Sequence, residues 1–248
     1  MTKKIRADVA LVDRGLVESR TKAQALIMAG TVYSGETKII KAGQPIKDDQ
    51  ELTVRSKEHP WVSRGGMKLA KAIDEFNINL AGATVIDVGC STGGFTDVAL
   101  TNGAAKVYGV DVGHGQLAWK IRGDERVVVL EKTNARFLTS ELIPDAIDLV
   151  VCDASFISLK TVLPAALALV KDGGAVAALI KPQFEVGKGR VGKGGVVRDP
   201  VLHQEVCDDI SAWLDSLEGW TVIGITESPI KGPEGNIEFL IYAEKKSA

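Results

Sequence analysis

Five short apolar runs, separated by stretches with helical periodicity, constrain the fold of this 248-residue chain most strongly. They occupy residues 84–88, 106–110, 126–130, 147–152 and 175–180. Short runs that are apolar throughout are typical of strands buried on both faces, and helices between them make the crossovers of a parallel sheet. The second part of the chain is therefore predicted to be α/β, with a mostly parallel sheet covered by helices on both faces.

The pattern changes after the fifth run. A helix near residues 200–217 is followed by predicted strands at residues 221–225 and 237–243, with proline and glycine between them. Two strands joined by such turn residues form an antiparallel hairpin, so we expect an antiparallel strand to close the sheet. One more helix is expected near residues 159–170.

The first 60 residues have a different pattern, with two short helices followed by short strands. The second helix is predicted to be capped by Ser19 and ended by Gly30. The formal charge here is +3, against −5 for the remaining residues. A basic module indicates an anionic partner, although ordinary scatter of charge gives the same balance. The expected division is a first domain at residues 1–59, a linker at 60–66 and a second domain at 67–248.

Cysteine and histidine are too few and too scattered for a disulfide framework or a metal centre. The three cysteines form no C-x-x-C pair, which fits a reducing compartment. The longest apolar region, residues 163–180, is interrupted by charged and glycine residues, so no membrane span is expected. The sequence therefore predicts a soluble cytoplasmic protein without a metal.

A glycine-rich loop follows the first run and reads Ile-Asp-Val-Gly-Cys-Ser-Thr-Gly-Gly over residues 86–94. Ser91 stands where a dinucleotide-binding loop has its second glycine. Asp111 follows the next run and suits the two hydroxyls of a ribose. These features favour a nucleoside without a diphosphate, most commonly S-adenosylmethionine. A tight turn without a ligand is the alternative.

Two polar residues follow buried runs directly, Asp153 after the fourth run and Lys181 after the fifth. Because the carboxyl ends of parallel strands share one edge of a sheet, both are expected beside the glycine loop. A buried lysine needs a partner, so a structural ion pair is one interpretation. A lysine that abstracts a proton is the other. Lys68 and Glu238 could complete a set of two lysines and two acids.

Residues 182–198, which we call the basic segment, contain five glycines and four basic residues. Flexible backbone with spaced cations suits a phosphate backbone, although a solvated mobile loop has the same composition. The four basic residues are Lys188, Arg190, Lys193 and Arg198.

The motif R-A-D-x-x-L-x-x-x-G-x-x-x-S-R-x-x-A-x-x-x-I-x-x-G-x-V over residues 6–32 resembles the small alpha-L RNA-binding domain of a ribosomal small-subunit protein. The segments Trp-Val-Ser-Arg-Gly-Gly at 61–66, Asp-Ala-Ser-Phe-Ile-Ser at 153–158 and Lys-Pro-Gln-Phe-Glu at 181–185 extend the likeness. Over nearly its whole length the chain resembles the TlyA family of two-domain rRNA methyltransferases. The resemblance implies RNA contacts by basic side chains, for which we choose Arg6, Arg20, Lys41, Arg64, Lys188, Arg190 and Lys193.

The second domain resembles the FtsJ-type ribose 2′-O-methyltransferases, which have a Rossmann-like, class I fold. Such enzymes use a Lys-Asp-Lys-Glu set, matched here by Lys68, Asp153, Lys181 and Glu238, which we call the tetrad. The resemblance implies that Lys181 removes the proton of a ribose 2′-hydroxyl while the other three orient it. It also implies an S-adenosylmethionine site formed by Asp87, Gly89, Ser91, Thr92, Gly93, Gly94, Asp111, Asn134 and Asp153.

The implied substrate is a cytidine in small-subunit (16S) rRNA, large-subunit (23S) rRNA or both. A 2′-hydroxyl target makes the partner RNA and not DNA, and we expect a monomer that acts on ribosomal subunits without a membrane partner. Three alternatives are a non-catalytic RNA-binding protein, a membrane-active hemolysin and a nicotinamide oxidoreductase. The complete tetrad disfavours the first, the lack of an apolar span the second, and Ser91 the third.

Overall fold

The chain forms two compact units, Met1–Pro60 and Trp61–Ala248, each with its own apolar core. The structure is a computed structural model. It describes residues 4–28, 30–54, 59–187 and 189–247.

In the first unit, the residues that the structure describes form two short helices and two small antiparallel sheets. β1 pairs with β4, and β2 lies between β3 and β5. Ser19 Oγ accepts a hydrogen bond from the N–H of Lys22 at 3.2 Å, and Gly30 has φ +69°, so both ends of the second helix are as predicted. The elements are β1 (Lys4–Arg6), α1 (Ala7–Asp13), α2 (Arg20–Met28), β2 (Val32–Ser34), β3 (Thr37–Lys38), β4 (Pro45–Lys47) and β5 (Thr53–Val54).

The second unit alternates strands and helices before ending in two long strands. Short 3₁₀ turns lie at Ala135–Phe137 and Pro233–Gly235. The main elements are α3 (Gly66–Phe76), β6 (Thr84–Val88), α4 (Gly94–Thr101), β7 (Lys106–Val110), α5 (Trp119–Arg122), β8 (Val127–Leu130), β9 (Ile147–Cys152), α6 (Leu159–Val162), α7 (Pro164–Leu167), β10 (Val170–Ile180), α8 (Pro182–Glu185), α9 (Pro200–Ser216), β11 (Trp220–Glu227) and β12 (Phe239–Lys245).

Seven strands of this unit form one sheet in the order β11-β12-β10-β9-β6-β7-β8. All neighbouring pairs are parallel except the two that include β12. Successive side chains of one strand enter different cores, with Val150 packed on one face and Val151 on the other. The predicted α/β fold, with a mostly parallel sheet buried on both faces, is confirmed.

The closing hairpin differs from the simplest expectation in one respect. β11 and β12 pair antiparallel as predicted, but β12 lies inside the sheet between β10 and β11. β11 therefore runs in the same direction as the parallel strands, and β12 is the antiparallel one. A hairpin pattern specifies that two strands pair, but it does not specify which of them joins the neighbouring sheet.

The single helix predicted near residues 159–170 is wrong. The segment forms the two short helices α6 and α7, with Pro164 at the first position of the second. Proline lacks an N–H and begins a helix more readily than it continues one. β10 already begins at Val170, and its register against β9 shifts before Ala175. A continuous apolar run does not distinguish buried helix from buried strand.

Candidate active site

The four tetrad residues converge at one edge of the seven-stranded sheet. Asp153 and Lys181 directly follow β9 and β10, whose carboxyl ends share this edge. Glu238 directly precedes β12, which runs the opposite way, so the start of β12 lies beside the end of β10. Lys68 reaches the same place from the buried side of α3. Residues up to 170 positions apart in the sequence are therefore neighbours in the fold.

Ion pairs connect the tetrad in one continuous chain. Nζ of Lys68 lies 3.1 Å from both carboxylate oxygens of Asp153 and 2.8 Å from Oε2 of Glu238. Nζ of Lys181 lies 2.7 Å from Oδ1 of Asp153. The two lysine side chains are only 8% and 6% exposed, and pairing with carboxylates offsets the cost of burying the ammonium groups.

Lys181 faces three oxygen acceptors, which matches the three N–H bonds of an ammonium group. Besides Oδ1 of Asp153, its Nζ donates to the main-chain carbonyl of Asp153 and to Oγ of Ser155, both at 2.9 Å. Ser155 is not among the site residues predicted from the sequence. Its position two residues after a tetrad acid was the signal that could have found it, since a short loop brings such a residue back to the strand end.

The two carboxylate oxygens of Glu238 differ in their hydrogen bonding. Oε2 accepts from Lys68, whereas Oε1 is buried without a hydrogen-bond partner among the described residues. Oε1 lies against the backbone of Gly232, where a Cβ would collide with it. The carboxylate is thus held between an ammonium group and a glycine that has no side chain to move it.

The glycine loop after β6 is shaped by a close backbone approach. Gly89 has φ +78°, and a Cβ there would lie 2.9 Å from Cα of Ala154, so the position requires glycine. The N–H groups of Ser91 and Gly113 donate to the two carboxylate oxygens of Asp111 at 2.8 Å and 2.7 Å. Asp111 is therefore fixed beside the loop, as its position after β7 predicted.

Asp87, at the end of β6, is fully buried. Oδ2 accepts a hydrogen bond from the hydroxyl of Thr96 at 2.6 Å, while Oδ1 has no hydrogen-bond partner in the part of the chain that the structure describes. Burial raises the pKa of Asp87 to about 7, and the nearby charge of Asp153 acts in the same direction. Asp87 lines the tetrad cleft, and its carboxyl suits a cationic ligand group there.

Two cavities meet at the tetrad. The larger, about 620 Å³, contains Asp111 and Asn134 in its wall. The smaller, about 270 Å³, is the tetrad cleft. Four residues line both: Gly89, Ser91, Asp153 and Ser155. A ligand in the larger cavity would therefore contact Asp153 and Ser155, the two residues that bind Lys181.

Of the remaining residues of the glycine loop, some line the tetrad cleft and one packs against a neighbouring side chain. Thr92, Gly94 and Asp87 line the tetrad cleft. Gly93 is not among the lining residues of either cavity, and with φ +94° it packs against Leu117. Its role in the structure is to shape the loop, while its neighbours line the cleft.

Phe156 is a further candidate residue that was not predicted from the sequence. It lines the larger cavity, is 89% exposed and has φ +65°, a conformation that costs energy for an aromatic residue. Its ring centroid lies 5.1 Å from that of Phe184. An exposed aromatic held in a strained conformation at a cavity rim is a candidate contact for a substrate. An aromatic within a loop gives no sequence signal for its exposure.

The basic residues selected for RNA contact lie in different environments. In the first unit, Arg6 and Arg20 both bind the buried carboxylate of Asp8, at 2.9 Å and 3.1 Å, and remain about half exposed. Lys41 is exposed. The pKa of Asp8 is held well below its usual range, first by the hydrogen bond from Arg6, with further hydrogen bonds from Gln24 and Arg20.

In the second unit, Arg64 is exposed and lines the tetrad cleft. Lys193 is exposed, whereas Arg190 is paired with Glu205 at 2.5 Å. Lys188 lies outside the described residues. The structure thus brings the tetrad and the cofactor-loop residues together, while the basic residues remain spread over two units.

The FtsJ-like methyltransferase family matches residues 61–245 of the chain. The 16S/23S rRNA (cytidine-2′-O)-methyltransferase TlyA of Mycobacterium tuberculosis is 48% identical and covers 98% of this chain and 90% of its own length. This chain belongs to the TlyA family of FtsJ-like methyltransferases.

Two further proteins are similar to this TlyA-family chain over most of its length. One, from Bacillus subtilis, carries the provisional name rRNA methyltransferase YqxC; it is 49% identical over 97% of this chain and 86% of its own length. The other is a solved structure from Streptococcus thermophilus with a provisional hemolysin name. It has a TM-score of 0.76 and 42% identity, covering 100% of this chain and 90% of that one.

As a TlyA-family methyltransferase, the chain uses S-adenosylmethionine as its methyl donor. The residues present fit that group, because Asp111 offers carboxylate oxygens for a ribose and Asp87 offers an orphaned oxygen for an ammonium group. Among the described residues, no three metal-binding side chains cluster, and no helix is long and apolar enough to span a membrane.

Proposed function

We propose that this chain methylates the ribose 2′-hydroxyl of a cytidine in small-subunit rRNA, large-subunit rRNA or both. The observation that carries the proposal is that Lys181 lines the tetrad cleft and binds Asp153 and Ser155, which line both the cleft and the larger cavity. A methyl donor that extends from the larger cavity to Asp87 and a ribose in the rest of the cleft would both lie near this lysine. The relatives named for rRNA methylation support the substrate class.

The chemistry asked of the chain is positioning and proton transfer. S-adenosylmethionine supplies, when bound, a methyl group on an activated sulfonium. Lys181 in its amine form would take the proton of the 2′-hydroxyl on Nζ, which leaves the ribose oxygen as the nucleophile for that methyl group. In the structure Nζ of Lys181 already has three acceptors. The substrate hydroxyl must therefore replace one of them, and Ser155 is the one with neither charge nor main-chain constraint.

The other tetrad residues hold Lys181 in place. Asp153 orients it through both its carboxylate and its carbonyl. Lys68 competes for the same carboxylate, which weakens the hold of Asp153 on the Lys181 proton. Glu238 in turn binds Lys68.

We assign RNA docking to the first unit and to the cleft rim of the second. Residues 1–59 form the alpha-L domain in this proposal, with residues 60–66 as the linker and 67–248 as the methyltransferase domain. All four tetrad residues come from one chain, which supports a monomer, and the proposed ribosomal substrates support a cytoplasmic location. The proposed contacts are Arg6, Arg20, Lys41, Arg64, Lys188, Arg190 and Lys193.

The test is methyl transfer from labelled S-adenosylmethionine to separated small and large ribosomal subunits, with mapping of the methylated ribose. Wild-type protein should label a cytidine 2′-oxygen, and Lys181→Ala and Lys181→Arg should not, because a guanidinium group does not give up its proton. Lys106→Ala is the matched control. Lys106 binds Asp145 at 2.6 Å at the opposite edge of the sheet, so its loss should leave transfer unchanged.

Near wild-type transfer by Lys181→Ala, with normal donor binding, would show that another group takes the proton. Binding of subunits without binding of S-adenosylmethionine would favour the non-catalytic RNA-binding alternative. Leakage of liposomes by purified protein would support the hemolysin alternative.

A further inference from the structure

Asn236 is a buried amide in the connection between β11 and β12, two residues before the tetrad acid Glu238. It is 3% exposed. Its Oδ1 accepts the N–H of Val197 at 3.1 Å, and its Nδ2 donates to the carbonyl of Gly195 at 3.1 Å. The side chain of Asn236 therefore binds one backbone N–H and one backbone carbonyl of the basic segment.

The basic segment beyond its helix α8 has two side-chain contacts to α9 among the described residues 189–198: Arg190 pairs with Glu205, and the carbonyl of Val197 lies 2.9 Å from Nε2 of His203. The contacts of Asn236 are the ones that lead toward Glu238.

The internal main-chain hydrogen bonds of residues 189–198 are those from Gly192 to Val196 and from Gly195 to Gly192. Lys193 lies in the turn that these bonds close and is exposed. A phosphate held by Lys193 would therefore act on a turn whose next residues are tied to Asn236.

On its other side, Asn236 is connected to the tetrad. Its main-chain carbonyl accepts the N–H of Gly232 at 2.9 Å. Gly232 is the residue against which Oε1 of Glu238 lies. Movement of this turn would shift the carboxylate of Glu238 and would therefore change its 2.8 Å contact with Lys68.

We propose that Asn236 is a positioning residue that couples RNA contact on the basic segment to the alignment of the tetrad. Its side chain binds the turn that contains Lys193, and its main-chain carbonyl binds Gly232. A displacement of the turn would therefore also displace Gly232. Glu238, Lys68 and Asp153 then transmit the change to Lys181. This inference rests on the proposed rRNA methylation and adds a route by which substrate contact completes the site.

The experiment compares full-length wild type, Asn236→Ala and a matched control, Asp215→Ala. Asp215 accepts the N–H of Val222 at 2.8 Å and so ties α9 to the far end of the same hairpin. With ribosomal subunits as substrate, Asn236→Ala should lower kcat about tenfold or more, because small misplacements in an active site cost about that much. KM for the subunits and the dissociation constant of S-adenosylmethionine should change less than about threefold, and Asp215→Ala should leave kcat unchanged.

Coupling is measured by adding Lys193→Ala. In the wild-type background this change should lower kcat, and in the Asn236→Ala background it should have no further effect on kcat, since the connection is already broken. Additive effects, or a kcat of Asn236→Ala within about twofold of wild type, would overturn the proposal. A fall in kcat that follows an equal loss of donor binding would show a merely structural role.

Amide hydrogen exchange separates this proposal from the proposed reaction. Ribosomal subunits should slow exchange at both Gly195, whose N–H donates to the carbonyl of Gly192, and Gly232 in the wild type, and at Gly195 alone in Asn236→Ala. If the wild type transfers no methyl group, the proposed function fails, yet the exchange at Gly232 still decides whether Asn236 couples the two regions. Unchanged exchange at Gly232 in the wild type would overturn the coupling.

Discussion

Asp153 binds Lys181 twice, through a carboxylate oxygen at 2.7 Å and through its main-chain carbonyl at 2.9 Å. The same carboxylate lies 3.1 Å from Nζ of Lys68. One partly buried acid thus serves two buried lysines. Its negative charge stabilises the folded site, and its direction determines where Lys181 points.

Asp153→Asn should therefore reduce both activity and stability. The amide has nearly the same shape but leaves the two buried ammonium groups with Glu238 as their one anionic partner among the described residues. We expect methyl transfer to fall about a hundredfold or more and the free energy of unfolding to fall by about 1–3 kcal/mol. Single-turnover transfer and denaturant unfolding measure the two effects.

Asp145→Asn is the matched control, because Asp145 binds Lys106 at 2.6 Å with both side chains 38% exposed. Its loss should cost less than about 1 kcal/mol and leave transfer intact. Equal activity of Asp153→Asn and Asp145→Asn would contradict the assigned role of Asp153.

The buried carboxyl of Asp87 should give the protein a pH-dependent stability. Burial raises the pKa of Asp87 to about 7, so the folded state holds a proton that the unfolded state releases near pH 4. Its contribution to stability is present below about pH 4 and is lost as the pH rises through about 7. Asp87→Asn, which cannot titrate, should lose less stability than wild type between about pH 5 and about pH 8 in thermal unfolding without cofactor. Parallel curves for the two proteins would contradict this.

Asp8 should show the opposite dependence in the first unit. The hydrogen bond from Arg6 holds the pKa of Asp8 well below its usual range. Its stabilising effect is therefore present above the unfolded pKa of about 3.9 and is lost as the pH falls below it. Asp8→Asn should be less stable than wild type at neutral pH, with the difference shrinking in acid.

Thermal unfolding of the full chain from about pH 7 to about pH 3 measures this difference. Asp13→Asn, at an exposed position of α1, is the control and should follow the wild type. Asp8→Asn should also weaken binding to ribosomal subunits, because Arg6 and Arg20 lose the group that orients them. Unaltered subunit binding would show that the orientation of these arginines does not matter.

Phe156→Ala should weaken the interaction with RNA more than the interaction with the methyl donor. Its ring is 89% exposed at the rim of the larger cavity, and nucleobases outside a duplex stack on such aromatic faces. A lost stacking contact costs about 1–3 kcal/mol, so KM for ribosomal subunits should rise about tenfold or more. Donor binding, measured by calorimetry, should change little.

The control for Phe156→Ala is Ile223→Ala, another exposed apolar residue, on the edge strand β11. It should leave KM unchanged. A larger effect on donor binding than on KM would place Phe156 in the donor site instead.

The tetrad could be predicted from the sequence because two of its members directly follow buried strands. Parallel strands end at one edge, so Asp153 and Lys181 had to be neighbours once the strands were recognised. Lys68 and Glu238 were placed by resemblance to a family, since nothing in their local pattern indicates the long-range contact between them. Their 2.8 Å distance depends on how α3 and β12 pack.

Other features depended on packing that periodicity does not encode. Arg6 and Arg20 resemble free surface cations in the sequence, yet both bind Asp8. The unpartnered oxygen of Glu238 and its contact with Gly232 arise from the path of a turn. The break between α6 and α7 was hidden because helix and strand share a continuous apolar pattern there.

The order of the sheet bears on when the protein first becomes active. β11 hydrogen-bonds to the described sheet through β12, although β12 follows it in the chain. During synthesis β11 therefore emerges before its partner strand β12. Glu238 emerges directly before β12, which positions both Glu238 and β11 in the sheet. Glu238 precedes β12 directly and pairs with Lys68 in the folded sheet, so we expect a nascent chain that still lacks β12 to be catalytically silent even when the glycine loop has formed.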